Sequence, residues 1–357
     1  MADVVVVGAG ITGAAVAHHL ARAGASVVVL DRAERPGAGA TGRSGGMVRG
    51  YDPDPAVAEL AVPSLAVFKA AGNWAAGRSP LRVTGAVTVA EPAAEAGLRA
   101  AAERLNAAHG TTAHVVAGPA EAAGVGLAGG IALVEPEAGW VAPTEVTEDW
   151  LTQARGDGAL VRLGTAVRAV HERGGRPVVV TDAGEIRAGA VVSAVGAWGA
   201  APVPGLRSSA PVRSRSIQVT VVGRGPSVPA HATFVDLRTG LYAKPVGRDR
   251  TLLGMPHLVW DAAMDAPPDQ AHERATVAAL TAHFPWLATA PRLDTVRAAD
   301  AYGAARGDGP ASGLLDGTGV PHVWAVRAWN GGGVKTAPEA GRRIAAAVLA
   351  DAASDAV

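Results

Sequence analysis

The sequence predicts an α/β protein of two domains, one built on a largely parallel sheet and the other a β-rich α+β domain. Three observations lead to this prediction. The chain has 357 residues, and at roughly 100–200 residues per domain this length suggests two. Hydrophobic residues make up 49% of it, which is enough for a core and excludes a disordered or fibrous chain. The N-terminus has the pattern of strand, tight turn, helix and strand that opens a parallel α/β sheet.

The first 31 residues carry this N-terminal pattern. Residues 4–7 are all valine, which is typical of a strand buried on both faces, and an alanine-rich helix follows that ends at Gly24. Residues 26–30 form the second strand, which ends at Asp31. The turn between the first strand and the helix has the G-x-G-x-x-G spacing. In this setting the spacing predicts a Rossmann-type dinucleotide-binding site.

In such a site the glycines let the backbone turn tightly beneath a diphosphate, which binds at the positive end of the helix. The acidic residue after the second strand accepts hydrogen bonds from the adenosine ribose. The residues expected to bind the nucleotide are Gly8, Gly10, Ile11, Thr12, Gly13, Asp31 and Arg32. The alternative, a glycine-rich turn without a ligand, is disfavoured because strand, turn, helix and acidic residue all agree.

The remaining elements are predicted from periodicity and from the positions of glycine and proline. Predicted helices span residues 56–74, 93–108, 145–154, 270–283 and 338–350. Predicted strands span residues 83–89, 161–170, 177–181, 190–195 and 323–326, with further short strands between 212 and 258. The strands between 161 and 195 alternate with glycine-containing turns, which is typical of an antiparallel meander.

Charge and composition exclude several classes of function. The 32 basic and 32 acidic residues balance, which argues against nucleic acid or a membrane surface as partner, since both attract basic proteins. The chain has no cysteine, so disulfides, thiolate metal sites and a cysteine nucleophile are excluded. Asp3, His18 and His19 interrupt the apolar N-terminal stretch, so neither an export signal nor a membrane span is expected, and the expected location is the cytoplasm.

Motifs along essentially the whole chain resemble those of the flavin amine oxidases, the group of D-amino-acid, glycine and sarcosine oxidases. The motifs are the glycine-rich loop at residues 37–49, Val167, the turn at Gly196 and the glycine run that ends at Lys335. The resemblance implies FAD as cofactor. It adds these FAD-binding residues to those of the first turn: Thr41, Arg43, Ser44, Gly46, Val167, Gly196, Trp198, Gly331, Gly332, Gly333, Val334 and Lys335.

The resemblance also implies how the chain is divided. The FAD-binding domain is expected to be discontinuous and to comprise residues 1–80, 140–208 and 300–357. Residues 81–139 and 209–299 are expected to form the substrate-binding domain. A β-rich substrate domain is thereby placed over the flavin that the first domain binds.

Two cationic positions make the sarcosine oxidase branch the most similar one. Arg49 and Lys335 fall where that branch holds the substrate carboxylate, and Tyr242 falls in the strand that faces the substrate. Arginine offers a planar fork to a carboxylate, and lysine offers a compact charge. The resemblance therefore implies that the C–N bond of a small amine or amino acid is oxidised to an imine. Hydride passes from the α-carbon to flavin N5, and O2 is the expected acceptor.

Each of these residues also has a structural alternative. Arg49 belongs to an arginine-rich chain, in which a solvated loop residue or a phosphate contact is the alternative. Lys335 is one of three lysines, and an ordinary lysine at a helix start would be unfavourable against the helix dipole. Tyr242 has the alternative of a core aromatic residue with a hydrogen-bonded hydroxyl. His257 lies one residue out of register with a substrate-side position, and a structural role is its alternative.

The chain departs from the branch at several positions. The cysteine that tethers flavin there is missing and the 37–49 loop has no histidine, so FAD is expected to be non-covalent. Leu252 stands at the position of an oxygen-activating lysine, which leaves open a flavin dehydrogenase with another electron acceptor. A non-catalytic flavin-binding protein is the third alternative. The arginine with which D-amino-acid and glycine oxidases bind carboxylate lies near Tyr302, where only Arg297 and Arg306 are found.

Overall fold

The computed structural model describes residues 2–200, 203–303 and 314–354. Within these ranges the chain forms twenty-one strands and six α-helices, numbered here in chain order. Two eight-stranded sheets contain most of the strands. The first sheet carries the glycine-rich turn, and the second contributes the other wall of a large cavity.

The first sheet has a parallel centre and an antiparallel arm. Its strands are β1 (Ala2–Val7), β2 (Val27–Leu30), β11 (Leu160–Arg162), β12 (Val167–Arg173), β13 (Arg176–Thr181), β14 (Gly184–Ser193), β20 (Leu315–Gly317) and β21 (Val323–Val326). The spatial order is β11-β2-β1-β14-β13-β12, with β21 beside β14 and β20 beside β21. Strand β1 pairs in parallel with β2 and β14. This central position explains the run of valines, because both faces of the strand are buried.

Helices cover one face of this sheet. They are α1 (Ile11–Arg22), α4 (Pro143–Gly156) and α6 (Gly333–Ser354), with α2 (Pro55–Lys69) packed on α6. Small residues allow α1 and α6 to approach closely, since a Cβ at Gly341 would lie 2.5 Å from the Cβ of Ala15. The close approach brings the N-terminus of α6 to the same edge of the sheet as the N-terminus of α1, where both line the cavity.

The second sheet is almost entirely antiparallel. Its strands are β5 (Ala86–Ala90), β6 (His114–Val116), β9 (Ile131–Glu135), β15 (Val212–Gly223), β16 (Thr233–Asp236), β17 (Tyr242–Val246), β18 (Arg250–Gly254) and β19 (Arg292–Gly303). The order is β19-β15-β18-β17-β16-β5-β9-β6, and only the β16–β5 pair among these is parallel. Helix α3 (Glu95–His109) packs on β6 and β9, and α5 (Gln270–Leu280) packs on β15 and β18.

Smaller elements complete the described part of the chain. A three-stranded sheet joins β3 (Met47–Val48), β10 (Gly139–Trp140) and β4 (Arg82–Val83), and β7 (Glu121–Ala122) pairs with β8 (Val125–Gly126). Short 3-10 helices span Ala40–Arg43, Ala71–Asn73, Pro92–Ala94, Gly196–Ala200 and Pro285–Thr289. None of the helices in the described ranges is long and apolar enough to cross a membrane.

The predicted α/β fold class is confirmed, and the differences lie at element boundaries and in strands that the sequence did not indicate. The helix predicted for residues 56–74 is α2, which Asp54 caps and which ends at Lys69. Helix α6 begins at Gly333, five residues before the predicted start, and contains Pro338, which has no N–H to donate to the carbonyl of Val334. Strand β19 was not predicted, since its first residues are exposed and its sequence shows no alternation.

Candidate active site

A cavity of about 1360 Å³ is lined by residues from both large sheets. Pockets for drug-sized ligands are roughly 300–1,000 Å³, so this cavity has room for a dinucleotide and a small substrate together. Every residue predicted to bind the cofactor lines it except Gly13, and Arg49, Tyr242 and Lys335 line it as well. The fold therefore brings together nearly all of the side chains that the sequence singled out.

The glycine-rich turn joins β1 to α1 at one end of the cavity. Gly8 has a φ of +112°, and a Cβ on it would lie 2.5 Å from the carbonyl oxygen of Ala194. Gly13 lies beneath the turn, where a Cβ would be 2.0 Å from the carbonyl oxygen of Gly8. Contacts this short leave no space for a side chain, so helix and strand can meet in this way only with glycine at both positions.

Asp31 supports the turn as well as lining the cavity. Its Oδ2 accepts a hydrogen bond from the Ala9 N–H at 2.7 Å, and its Oδ1 accepts one from the Ala33 N–H at 2.8 Å. Each carboxylate oxygen can accept a second hydrogen bond, so both remain able to bind a ribose. Beside it, the guanidinium carbon of Arg32 lies 4.4 Å from the centroid of the Trp198 ring.

The glycine-rich loop at residues 37–49 is held by its own polar side chains. Arg43 donates through Nη1 to the carbonyl oxygen of Ala38 at 2.6 Å, and Thr41 Oγ1 accepts from the Ile11 N–H at 3.1 Å. The second contact ties the loop to the start of α1. Gly46 has a φ of +64°, and a Cβ there would lie 2.2 Å from the carbonyl oxygen of Val141.

Arg49 and Lys335 meet at one end of the cavity, although 286 residues separate them in the sequence (335 − 49). Asp52 lies between them: Lys335 Nζ donates to its Oδ2, and Arg49 Nη2 is 3.9 Å from the same oxygen. Arg49 Nε is buried without a hydrogen-bond partner. The three side chains form a cationic group with a net charge of +1, which we call the Arg49–Lys335 station. Asp52 was not predicted, because residues 49–52 are not helical and a spacing of three brings side chains together only on a helix.

Burial shifts the pKa values of the ionisable side chains at this station. Burial, with help from the neighbouring Arg49 guanidinium, lowers the pKa of Lys335 to about 8, although Asp52 opposes the shift. Glu135 lies behind the station and accepts hydrogen bonds from the N–H groups of Gly50, at 2.7 Å, and Tyr51. Burial nevertheless raises the pKa of Glu135. No sequence signal pointed to Glu135, since it comes from the distant strand β9.

A second polar group faces the cavity from β15, β17 and β19. Arg215 donates through Nη2 to Tyr302 Oη at 2.5 Å, and its guanidinium carbon lies 3.6 Å from the centroid of that ring. Asp300 is the cross-strand partner of Arg215, and burial raises the pKa of the Asp300 carboxyl. Tyr242 fits beside them only because Gly254 opposite has no side chain, since a Cβ there would lie 1.9 Å from the Tyr242 ring. Arg215 was not predicted.

Other candidates from the sequence lie away from the cavity lining. Arg297 donates through Nε to Ser216 Oγ at 3.0 Å and through Nη1 to the carbonyl oxygen of Pro267, and Arg306 lies outside the described residues. His257 Nδ1 also contacts Ser216 Oγ, at 3.0 Å, so the structure gives this histidine a structural hydrogen bond. Neither Arg297 nor His257 reaches the cavity.

The residues present fit FAD. Gly10, at the start of α1, would bring a Cβ to 3.3 Å from Thr41 Oγ1, so a side chain there would crowd the helix N-terminus. Gly196 has a φ of +59° and nothing within 4 Å of where a Cβ would be, which leaves its backbone open to the cavity. The turn, Asp31 and the Arg32–Trp198 pair would hold the adenosine diphosphate half, and the loop at residues 37–49 and the start of α6 with the two residues before it would hold the flavin.

A diphosphate seated on a glycine turn at the carboxyl edge of a parallel sheet is how α/β proteins bind dinucleotides, and this chain is a protein of that class. More narrowly, the chain belongs to the DAO family of FAD-dependent oxidoreductases, whose family model matches residues 3–347. It is therefore a FAD-dependent oxidoreductase, and the resemblance drawn from its motifs is confirmed at the level of this family. A comparison with curated proteins gives no significant match.

Solved structures share the fold over nearly the whole chain. L-proline dehydrogenase from P. horikoshii is 20% identical, covers 96% of this chain and 92% of its own, and superposes with a TM-score of 0.80. Iminodiacetate oxidase from Chelativorans sp. BNC1 is 21% identical, with 97% and 95% covered and a TM-score of 0.77. Glycine oxidase from Geobacillus kaustophilus is 20% identical, with 98% and 95% covered and a TM-score of 0.76.

Proposed function

We propose that this protein oxidises the C–N bond of a small amino acid, or of a secondary amine that bears a carboxylate, to an imine. The observation that carries the proposal is the Arg49–Lys335 station, a buried group with a net positive charge at one end of the cofactor cavity. FAD, when bound, supplies the acceptor for the hydride from the substrate α-carbon at its N5 atom. The protein's own side chains bind and orient the amine.

The station has the charge and the donors to bind one substrate carboxylate. Its net charge of +1 matches the single negative charge of that group. Lys335 carries three N–H donors and Arg49 carries five, of which the contacts with Asp52 use few, and Arg49 Nε has no partner. A carboxylate bound to both residues is held from two directions, which fixes the α-carbon and its C–H bond for reaction.

Tyr242 is proposed to contact the substrate from the opposite wall. Burial raises the pKa of its hydroxyl, with Tyr302 as a further cause, so the group stays protonated and acts as a hydrogen-bond donor. Its place in the cavity lining and the space that Gly254 leaves for its ring support this role. The hydroxyl would orient the substrate rather than exchange a proton with it.

O2 is the proposed electron acceptor, and a dehydrogenase that uses another acceptor is the second candidate. The second candidate is favoured by Leu252, a buried apolar residue whose Cδ2 lies 3.9 Å from where a Cβ on Gly45 would be. The cross-strand partner of Leu252 is Lys244, whose Nζ lies 4.0 Å from the centroid of the Trp140 ring. Burial lowers the pKa of Lys244 to about 8.

Names of structural relatives agree with this substrate class. Glycine oxidase, L-proline dehydrogenase and iminodiacetate oxidase are each named for a small amine that bears at least one carboxylate.

The division into a FAD-binding domain of residues 1–80, 140–208 and 300–357 and a substrate domain of residues 81–139 and 209–299 is part of the same proposal. So is non-covalent FAD, which acid precipitation should release as yellow flavin into the supernatant.

Anaerobic reduction of the bound flavin tests the reaction. Mixing the yellow holoenzyme with a panel of D- and L-amino acids and N-alkyl amino acids should bleach it with at least one member, while the matching amines without a carboxylate should leave it oxidised. Admitting air then separates the two candidates, since an oxidase regains its colour rapidly and a dehydrogenase does not. If no carboxylate-bearing amine bleaches the flavin, the protein is a non-catalytic flavin binder and the proposal fails.

A further inference from the structure

Arg215 is a second cation in the cavity, and it makes no direct ion pair with any of the described residues. None of the ion pairs found within the described ranges involves it, and its only hydrogen bond there goes from Nη2 to Tyr302 Oη. Its Nε is buried and has no partner. Arg215 is half-buried, and a partly desolvated guanidinium without a carboxylate in contact favours an anion, so this arrangement points to one that is supplied from outside the chain.

The neighbouring Arg213 shows what a neutralised arginine looks like on the same strand. Arg213 donates to both carboxylate oxygens of Asp261, at 3.1 and 2.5 Å, and its side chain is 55% exposed. Asp300, by contrast, accepts a hydrogen bond from the Ala301 N–H at 2.7 Å and makes no direct ion pair with Arg215 among the described residues. The charge of Arg215 acts to lower the pKa of the Asp300 carboxyl, but burial is the larger effect and raises that pKa. Arg215 therefore differs from Arg213 both in lining the cavity and in lacking a direct ion pair.

Tyr302 holds the guanidinium in place and adds a hydroxyl to the same spot. The ring lies against the guanidinium, in the geometry of a cation–π contact. The Trp260 ring is a further neighbour, 5.9 Å from the Tyr302 ring between centroids. Arg215 is therefore fixed by packing before any ligand binds, which lowers the entropy cost of binding an anion. We call Arg215 and Tyr302 the Arg215 station.

The two stations border one short turn of the chain. A Cβ on Gly331 would lie 3.4 Å from Tyr302 Oη, and a Cβ on Gly332 would lie 3.6 Å from Lys335 Cε. Adjacent residues are 3.8 Å apart at Cα, so the Tyr302 hydroxyl and the Lys335 side chain contact the same two-residue turn. Each station, as defined by its side chains, has one more basic than acidic group, and both stations line the same cavity.

We propose that the Arg215 station binds a second acidic group of the substrate, so that the preferred substrate is an amine carrying a carboxylate at each end. This inference rests on the proposed function, because it takes the first carboxylate to bind at the Arg49–Lys335 station. One acidic group at each station neutralises both cations and leaves the amine and its α-carbon between them. Specificity then follows from Arg215, because a substrate without the second acidic group leaves that guanidinium unpaired.

Matched pairs of amines test the inference. Iminodiacetate is compared with N-ethylglycine, and D- and L-glutamate with D- and L-glutamine, in anaerobic flavin reduction by the holoenzyme. We expect the reduction rate divided by Kd to be at least about tenfold higher for a dicarboxylate than for its partner. Arg215→Met should lower this ratio by about 30-fold for the dicarboxylate and by less than about threefold for the monocarboxylate. Arg213→Met, the matched control, should change neither.

Binding without chemistry keeps this test separate from that of the proposed function. Glutarate and butyrate, which carry no amine, are titrated into the holoenzyme and followed by the flavin absorbance. Glutarate should bind at least about tenfold more tightly than butyrate, and Arg215→Met should remove the difference. If glutarate binds more tightly than butyrate but no amine reduces the flavin, the proposed reaction is wrong. The proposal that Arg215 binds an acidic group is then still supported.

Other outcomes overturn the inference. If Arg215→Met weakens dicarboxylates and monocarboxylates equally, Arg215 holds the only substrate carboxylate and the two-station model is wrong. Equal binding of glutarate and butyrate by the wild type also contradicts it. Should Arg215→Met lose FAD, Arg215→Lys decides in its place: it keeps the charge and should keep a preference for glutarate, and its failure to do so refutes the inference.

Discussion

Replacing Lys335 with methionine is expected to lower the rate of flavin reduction divided by Kd by about 30- to 1,000-fold, which corresponds to about 2–4 kcal/mol. The side chain keeps its length and loses its charge. Asp52 then faces Arg49 alone, so the net charge of the station falls from +1 to 0 and a substrate carboxylate is no longer attracted. Stopped-flow reduction under anaerobic conditions measures the loss, with FAD content determined in parallel.

The double variant Lys335→Met, Asp52→Asn is the control for this change. It restores the net charge of +1 through Arg49, because it removes the carboxylate that neutralises Arg49 in the single variant. Part of the affinity for substrate should return, whereas a purely structural role of Lys335 predicts no gain in reduction rate. Reduction of the single variant at the wild-type rate would mean that Lys335 is only a residue at the start of α6.

The charge on Lys335 also has a pH signature. Burial lowers its pKa to about 8, so the ammonium is present below that pH and is lost as the pH rises above it. The Kd of a simple carboxylate such as acetate, read from the flavin absorbance, should therefore rise by up to about tenfold per pH unit above 8. Lys335→Arg keeps its charge at every accessible pH, so its Kd should stay level between pH 7 and pH 9.5. A rise of equal slope in this variant would assign the titration to another group.

Replacing Gly13 with alanine is expected to abolish FAD binding. The new Cβ would lie 2.0 Å from the carbonyl oxygen of Gly8, which is backbone and cannot rotate aside. Either α1 must move away from β1 or the turn must change shape, and both disrupt the seat of the diphosphate. We expect the purified protein to be colourless, with less than about a tenth of the wild-type FAD content, and to unfold at a lower temperature.

Gly97→Ala is the matched control for the glycine variant. Gly97 lies in helix α3 like Gly13 in α1, but it is exposed and has nothing within 4 Å of where a Cβ would be. Alanine there should leave FAD content unchanged and stabilise the protein by up to about 1 kcal/mol, because alanine favours a helix more than glycine does. Full FAD content in Gly13→Ala would show that the turn tolerates a side chain, contrary to its geometry.

The glycine-rich turn between β1 and α1 could be predicted because the residues that form it are close together in the sequence. Gly8, Gly10 and Gly13 lie within six residues, and the valine run before them and Asp31 after them belong to the same strand–helix–strand unit. A spacing of this kind specifies backbone geometry directly. The FAD-dependent family could be recognised for the same reason, since its motifs are short runs whose order along the chain is preserved even where the elements between them were misjudged.

Contacts between residues far apart in the chain could not be predicted from the sequence. Glu135 accepts its hydrogen bond from Gly50 across 85 residues, and Arg215 donates to Tyr302 across 87. Only the pairing of β15 with β19 sets the second contact, and a shift of that register by one residue would turn Arg215 to the other face of the sheet. The residue pattern within β15 or β19 does not indicate which strand pairs with it.

The sequence by itself determined the α/β class and the nucleotide turn, and it singled out the basic residues at positions 49 and 335. Each of these features depends on a short run of neighbouring residues. The tertiary structure alone decided which charged side chains surround these positions. It put Asp52 between Arg49 and Lys335 and placed Arg215 in the same cavity without a direct ion pair to any described residue. Electrostatic energies depend on distance and burial, and both are set by packing between segments far apart in the chain.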